Sequence, residues 1–118
     1  MAYKRTDRVN AQLRDELQEL IQQEVKDPRV GFATVTAVET SPDLRHARVF
    51  VSIMGSSEDG EIALRALTDA RAYLRHELAA RTALRYVPEL SFTRDISLER
   101  ASRIDALLRE AKRSERRD

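Results

Sequence analysis

The sequence predicts an α+β fold of two layers, with helices covering one face of a three-stranded sheet. Three observations predict it. Apolar residues recur at helical spacing in three long segments, two neighbouring β-branched runs alternate with period two, and a third short strand follows only after a long helix. A strand that far from the hairpin is reached by a crossover, which lays the intervening helix across the sheet.

Residues 1–5 form a polar arm carrying Lys4 and Arg5. Thr6 or Asp7 caps the first helix, and Val9, Leu13, Leu17, Leu20 and Ile21 make its apolar face. Asp27-Pro28 ends it, because the residue before proline is pushed out of helical backbone angles. Phe32 to Thr40 reads as a strand, with Ala33, Val35 and Ala37 alternating and Thr34, Thr36 and Val38 adding β-branched character. Ser41-Pro42-Asp43 supplies a turn. In the next run Ala47, Val49, Val51 and Ile53 face one way and His46, Arg48, Phe50 and Ser52 the other, so the two runs pair as an antiparallel hairpin. Gly55 to Gly60 is the longest loop signal.

From Ala63 a helix carries one clean stripe: Ala63, Leu67, Ala70, Leu74 and Leu78 fall within an arc of roughly 80°. Arg71 and Arg75 stand on one flank of that stripe, with Arg65 and His76 on the far side. Arg81 and Arg85 follow, then a strand, Val87 to Phe92, opened by Pro88. A final helix begins near Ser97, with Leu98, Ala101, Ile104, Leu107, Leu108 and Ala111 giving it a partly apolar face. Residues 112–118 are nearly all charged and are expected to form a disordered tail, leaving residues 1–111 as a single domain. The order helix, strand, strand, helix, strand, helix is that of a type II KH domain with one helix added at the end.

At 118 residues the chain has room for one core, and with 35% charged residues much of its helix surface is solvated. It has no cysteine, no apolar run long enough to span a bilayer and no signal-peptide core at its N-terminus, so a cytoplasmic protein is expected. Net charge is only +1, but it is unevenly spread. Residues 65–94 hold six arginines against three acidic residues, while residues 31–64 hold two arginines against five. A solvated helix face would look much the same.

Catalytic chemistry is hard to assemble. His46 and His76 both sit on polar faces, and no His-Glu-x-x-His spacing, phosphate-binding glycine loop or Gly-x-Gly-x-x-Gly stretch occurs. No enzyme activity, cofactor, metal or small-molecule substrate is expected. Lys4, Arg5 and Arg8 with Arg71, Arg75, Arg81 and Arg85 are candidate phosphate contacts, and Arg45 and His76 join them as RNA-binding candidates. Each reads equally well as solubilising charge. The Gly-x-x-Gly loop that clamps a single strand in KH domains is absent, and the few aromatics form no stacking series. Contact by charge and shape is therefore expected. A protein-interaction module, using the polar hairpin face and the final helix, is the alternative.

The run Val35 to Ser52 closely resembles the hairpin of bacterial ribosome-binding factor A. So do Arg8-Val9, Asp27-Pro28-Arg29, the segment Leu84 to Phe92, Asp95, Ser97 and the pairing of Ile104 with Leu107-Leu108. The resemblance spans essentially the whole chain. It implies a type II KH-like fold of order α-β-β-α-α-β, without the Gly-x-x-Gly loop, followed by a C-terminal helix. It also implies a non-catalytic monomer that binds the free 30S subunit, contacts 16S rRNA, assists its late maturation and 5′-end processing, and supports growth in the cold. In that family an Ala-x-Gly kink interrupts the striped helix. The matching residues are Ala70, Arg71 and Ala72, and alanine favours continuous helix over glycine by roughly 1 kcal/mol. A shallow bend at most is therefore expected there.

Overall fold

Five apolar side chains fix the place of the first helix, α1 (Arg5–Gln23): Val9, Leu13, Leu17, Leu20 and Ile21 are all buried. The structure, a computed structural model, describes residues 5–116, the side chains of residues 98, 99, 102, 115 and 116 excepted. Helix α1 stops about one turn before the proline that was expected to end it. The Glu24 and Val25 amides both donate to the Leu20 carbonyl, at 2.8 and 3.1 Å, and close the last turn there.

Strands β1 (Ala33–Thr40) and β2 (His46–Ile53) form the expected antiparallel hairpin, and β3 (Glu89–Arg94) lies parallel to β2 in a sheet of order β1-β2-β3. Val35, Val38, Val49, Val51 and Leu90 are buried with the helices' apolar side chains in one core. The simple alternation of Ala33, Val35 and Ala37 does not hold. Register shifts between Val35 and Ala37, so Val38 takes the buried position and Ala37 is only half-buried. The irregularity frees Thr36, whose hydroxyl donates to the Asp95 carboxylate at 2.6 Å.

Asp95 ties three segments together. Its amide donates to the Val51 carbonyl at 2.7 Å, and its carboxylate accepts from the Ser97 amide at 2.9 Å and from Thr36. The Ser97 hydroxyl first, then Thr36 and then the Ser97 amide hold the carboxyl below its ordinary value of 3.8. A carboxyl whose folded pKa is depressed stabilises the fold above its unfolded pKa, and that contribution disappears as pH falls through the folded value. Asp95→Asn is expected to cost about 1 kcal/mol at neutral pH. Urea unfolding of the two proteins should converge as pH falls below 3.8; a gap that persists in acid would exclude this role for the charge.

An edge strand exposes unpaired backbone groups, and α1 covers those of β1. The Gln18 side-chain carbonyl accepts from the Val35 amide, and Asn10 Oδ1 accepts from the Thr40 amide and hydroxyl at 3.0 and 2.7 Å. The same bonds place the N-terminal part of α1 beside the β1–β2 turn.

Residues 55–60, expected as loop, instead start a helix, α2 (Ser57–Asp69). Ser56 and Asp59 form a reciprocal capping box, with the Asp59 amide donating to Ser56 Oγ at 3.1 Å and the Ser56 amide to Asp59 Oδ2 at 2.9 Å. Gly60 lies inside this helix and is buried against the Arg94 guanidinium, which leaves no room for a Cβ. Arg94 in turn donates to the carbonyls of Ile53, Gly55 and Ser56, clamping the β2–α2 connection.

The striped helix is not continuous. It divides at Ala70 (φ −86°, ψ −1°), and α3 (Arg71–Arg81) begins at the next residue. Alanine in place of glycine does not carry the helix through. One turn earlier the Thr68 hydroxyl donates to the Leu64 carbonyl at 2.8 Å, a bond that competes with the backbone ladder. The two halves also pack on different neighbours: α2 lies mainly on β3, α3 mainly on α1. Packing therefore sets the break, while Ala63, Leu67, Leu74 and Leu78 remain buried on either side of it.

Helix α4 (Ser97–Arg116) continues through residues expected to be a disordered tail. Of its partly apolar face, Ile104, Leu107 and Leu108 are exposed. The helix extends the molecule: the radius of gyration is 17.6 Å, against about 13–14 Å for a compact chain of this length.

Candidate nucleic-acid interface

Leu74 and Leu78 are fully buried and fix the rotation of α3, which turns Arg71 and Arg75 toward its flank beside β3. The connection from α3 to β3 is anchored rather than loose. Pro88 is fully buried, Leu84 and Val87 pack against the core, and Arg75 Nη2 donates to the Val87 carbonyl at 3.0 Å. Arg75 Nε is itself buried with no hydrogen-bond partner among the described residues.

The β1–β2 turn forms the opposite wall. Ser41 Oγ donates to Asp43 Oδ1 at 2.6 Å, and the Arg45 amide donates to the same oxygen at 3.1 Å. These bonds, with Ser41 the larger, hold the Asp43 carboxyl below its ordinary value. Leu44 adopts φ +59°, a left-handed conformation rare for a branched side chain, and its side chain packs against the core. The strained turn brings Arg45 against β3: the Glu89 amide donates to the Arg45 carbonyl at 2.8 Å.

Between these walls runs a groove of about 670 Å³ lined by Arg45, His46, Arg75, Arg85, Tyr86 and Glu89, among others. A smaller hollow of about 280 Å³ lies beside it and adds Arg71. Glu89 is the one carboxylate lining either, and it sits 3.6 Å from His46 Nδ1. Three arginines thus line the groove, Arg45 from the β1–β2 turn and Arg75 and Arg85 from α3 and the connection after it, and Arg71 lines the adjoining hollow, against a single acid. A second hollow, of about 350 Å³, is lined by Ile21, Val25, Val30 and Phe32 and holds no arginine.

The other candidates fall elsewhere. Arg5 and Arg8 are exposed on the first turns of α1, near the β1–β2 turn but outside the groove lining, and Lys4 lies outside the described residues. His76 is exposed on α3 and also outside the groove. Arg81 has a structural task. Its guanidinium lies 3.7–3.9 Å from carboxylate oxygens of Glu16, Glu19, Glu24 and Glu77, joining α3 to α1 and surrounding its charge with acid. Sequence spacing missed this because three of the four partners, Glu16 and Glu19 of α1 and Glu24 just past its end, are distant in sequence. Arg81→Ala is expected to cost up to about 1 kcal/mol in urea unfolding, less at high salt, and to leave RNA affinity unchanged. A loss of RNA affinity matching that of the groove arginines would contradict this placement.

Periodicity does not single out Tyr86, although the Arg85-Tyr86 pair carries the signal of an aromatic among basic residues. Its ring is 68% exposed, with the Arg85 guanidinium carbon 5.7 Å from the ring centroid.

The element order, the parallel β2–β3 pairing reached through a divided helix, and a basic groove without a Gly-x-x-Gly loop define a KH-like domain. A model of the ribosome-binding factor A family matches residues 5–108. Ribosome-binding factor A of Thermomicrobium roseum is 51% identical over 106 residues, 90% of this chain and 82% of that protein. The crystal structure of ribosome-binding factor A from Thermus thermophilus superposes with a TM-score of 0.68 at 37% identity, covering 75% of this chain and 93% of the other. A homology model of the Thermus thermophilus factor, fitted into the cryo-electron-microscopy map of its complex with 30S, gives 0.62 at 38% identity and covers 74% and 91%. The chain belongs to the ribosome-binding factor A family.

Proposed function

We propose that this protein binds the free 30S subunit during its late maturation and holds phosphates of 16S rRNA in the groove of Arg45, Arg71, Arg75 and Arg85. The observation that carries this reading is a groove lined by Arg45, Arg75 and Arg85, with Arg71 in the adjoining hollow, and a single carboxylate between them. The fitting of a Thermus thermophilus relative into a 30S complex supports the choice of partner. Action is by differential binding, as a monomer in the cytoplasm: the protein stabilises one rRNA arrangement, assists 5′-end processing of 16S rRNA, and is expelled once the mature arrangement forms. No helix among the described residues is long and apolar enough to cross a membrane.

A second reading, contact with a protein partner, draws on the exposed Ile104, Leu107 and Leu108 of α4. Co-sedimentation with small subunits, large subunits and complete ribosomes at two salt concentrations separates the two. The proposal requires binding to small subunits that weakens at higher salt. Equal binding to all three particles would reject it, and binding that ignores salt and survives nuclease would favour the second reading.

A further inference from the structure

We propose that Tyr86 is a stacking platform for one unpaired RNA base, with the groove arginines holding the phosphates on either side of that base. The inference rests on the RNA-binding reading above and specifies its substrate as a single-stranded segment.

Exposure alone does not carry it, since scattered apolar side chains are normal on protein surfaces. The surroundings do. Among the described residues three aromatic rings are largely exposed: Phe32, Tyr73 and Tyr86. The hollow beside Phe32 includes Asp27, which is ion-paired with Arg29 at 2.7 Å, and it has no arginine in its lining. Desolvation, then the charges of Glu77 and Glu24, push the Tyr73 hydroxyl pKa up, and those two carboxylates would repel a phosphate chain. Tyr86 alone shares a groove with Arg45, Arg75 and Arg85.

The backbone that carries the ring is held on both sides. Leu84 packs against the core on one side of it in sequence, and on the other Val87 is bound by Arg75 and Pro88 is fully buried. A side chain on an anchored backbone has less freedom to lose when a base is laid on it. Arg85 stands over the ring at 5.7 Å, so cation and aromatic present one composite surface. Bases in an A-form duplex are stacked on one another and closed to such a ring, so the fitting ligand is an unpaired nucleotide with flanking phosphates.

The chain contains no tryptophan, so Tyr86→Trp places a single tryptophan in the groove, which can be excited selectively over the remaining tyrosines. The probes are a mixed-sequence single-stranded ribo-oligonucleotide, the same sequence as a duplex, and purified small subunits. Emission at position 86 should be quenched by the single strand and by the small subunit, and not by the duplex. Tyr86→Ala should weaken single-strand binding by about 5- to 100-fold with an unchanged salt slope, while Tyr86→Phe stays near wild type. Wild-type affinity in Tyr86→Ala, or unmoved emission while anisotropy reports binding, would overturn the proposal. If Arg45→Gln/Arg75→Gln/Arg85→Gln weakens binding and Tyr86→Ala does not, stacking alone is wrong. If the arginine triple variant also binds like wild type, or the single strand does not bind, the RNA-binding groove falls with it.

Discussion

Replacing Arg45, Arg75 and Arg85 together with glutamine is expected to lower affinity for the small subunit at least tenfold near ~0.1 M salt. The slope of log affinity against log salt should also become shallower by about two, since three phosphate contacts on single-stranded nucleic acid release roughly that many counterions. The slope is the more telling number. A protein that merely loses fold loses affinity at every salt concentration, whereas loss of ion pairs weakens binding most where salt is low. Arg75 also supports Val87, so urea unfolding of the triple variant must accompany the binding curve. Arg81→Gln serves as the matched control, because that guanidinium is already surrounded by Glu16, Glu19, Glu24 and Glu77. An unaltered slope in the triple variant would show that the groove does not face phosphate.

Leu74→Ala is expected to have the largest effect on stability, about 2–5 kcal/mol in urea unfolding. Leu74 is 0% exposed and lies four residues beyond the helix break, where α3 turns onto α1. Its loss leaves a cavity that the surrounding side chains fill only partly. A domain of this size is stable by about 5–15 kcal/mol, so one substitution removes a large share. The contrast with Ala70 is instructive: it is on the same stripe, yet only half-buried, because the backbone departs from helical geometry there. A cost below about 1 kcal/mol at Leu74 would mean that α3 is held by its ion pairs rather than by its apolar face.

The core was legible in the sequence because burial follows period. Val9, Leu13, Leu17, Leu20 and Ile21 kept helical spacing and all five are buried; Val49 and Val51 kept strand spacing and are fully buried. What periodicity does not encode is what long-range contacts decide. The bulge at Thr36 depends on Asp95, fifty-nine residues away. The break at Ala70 depends on two helix halves resting on different neighbours, and propensity alone pointed the wrong way. Gly60 looked like a loop residue because its reason, the guanidinium of Arg94, lies in a distant strand. The site shows the same division. Arg71 and Arg75 followed from the wheel, Arg45 and Arg85 joined them only through the parallel β2–β3 pairing, and Arg81 left the group once its acidic partners were in view. Helix α4 keeps helical apolar spacing too, yet its Ile104, Leu107 and Leu108 are exposed, so spacing alone does not tell a buried face from an open one.

The parallel register between β2 and β3 also governs when the groove exists. Its walls come from residues 45–46 and 71–89, and they meet only after the chain has made a complete crossover and Glu89 has reached Arg45. A hairpin closes early because its partners are close in sequence, whereas a crossover closes late because more loop entropy must be spent. A nascent chain that has emerged only as far as α3 therefore has Arg45, Arg71 and Arg75 but neither Arg85 nor a concavity to gather them. On the proposed RNA-binding reading, affinity for RNA therefore requires completed folding, because Glu89 of β3 lines the groove.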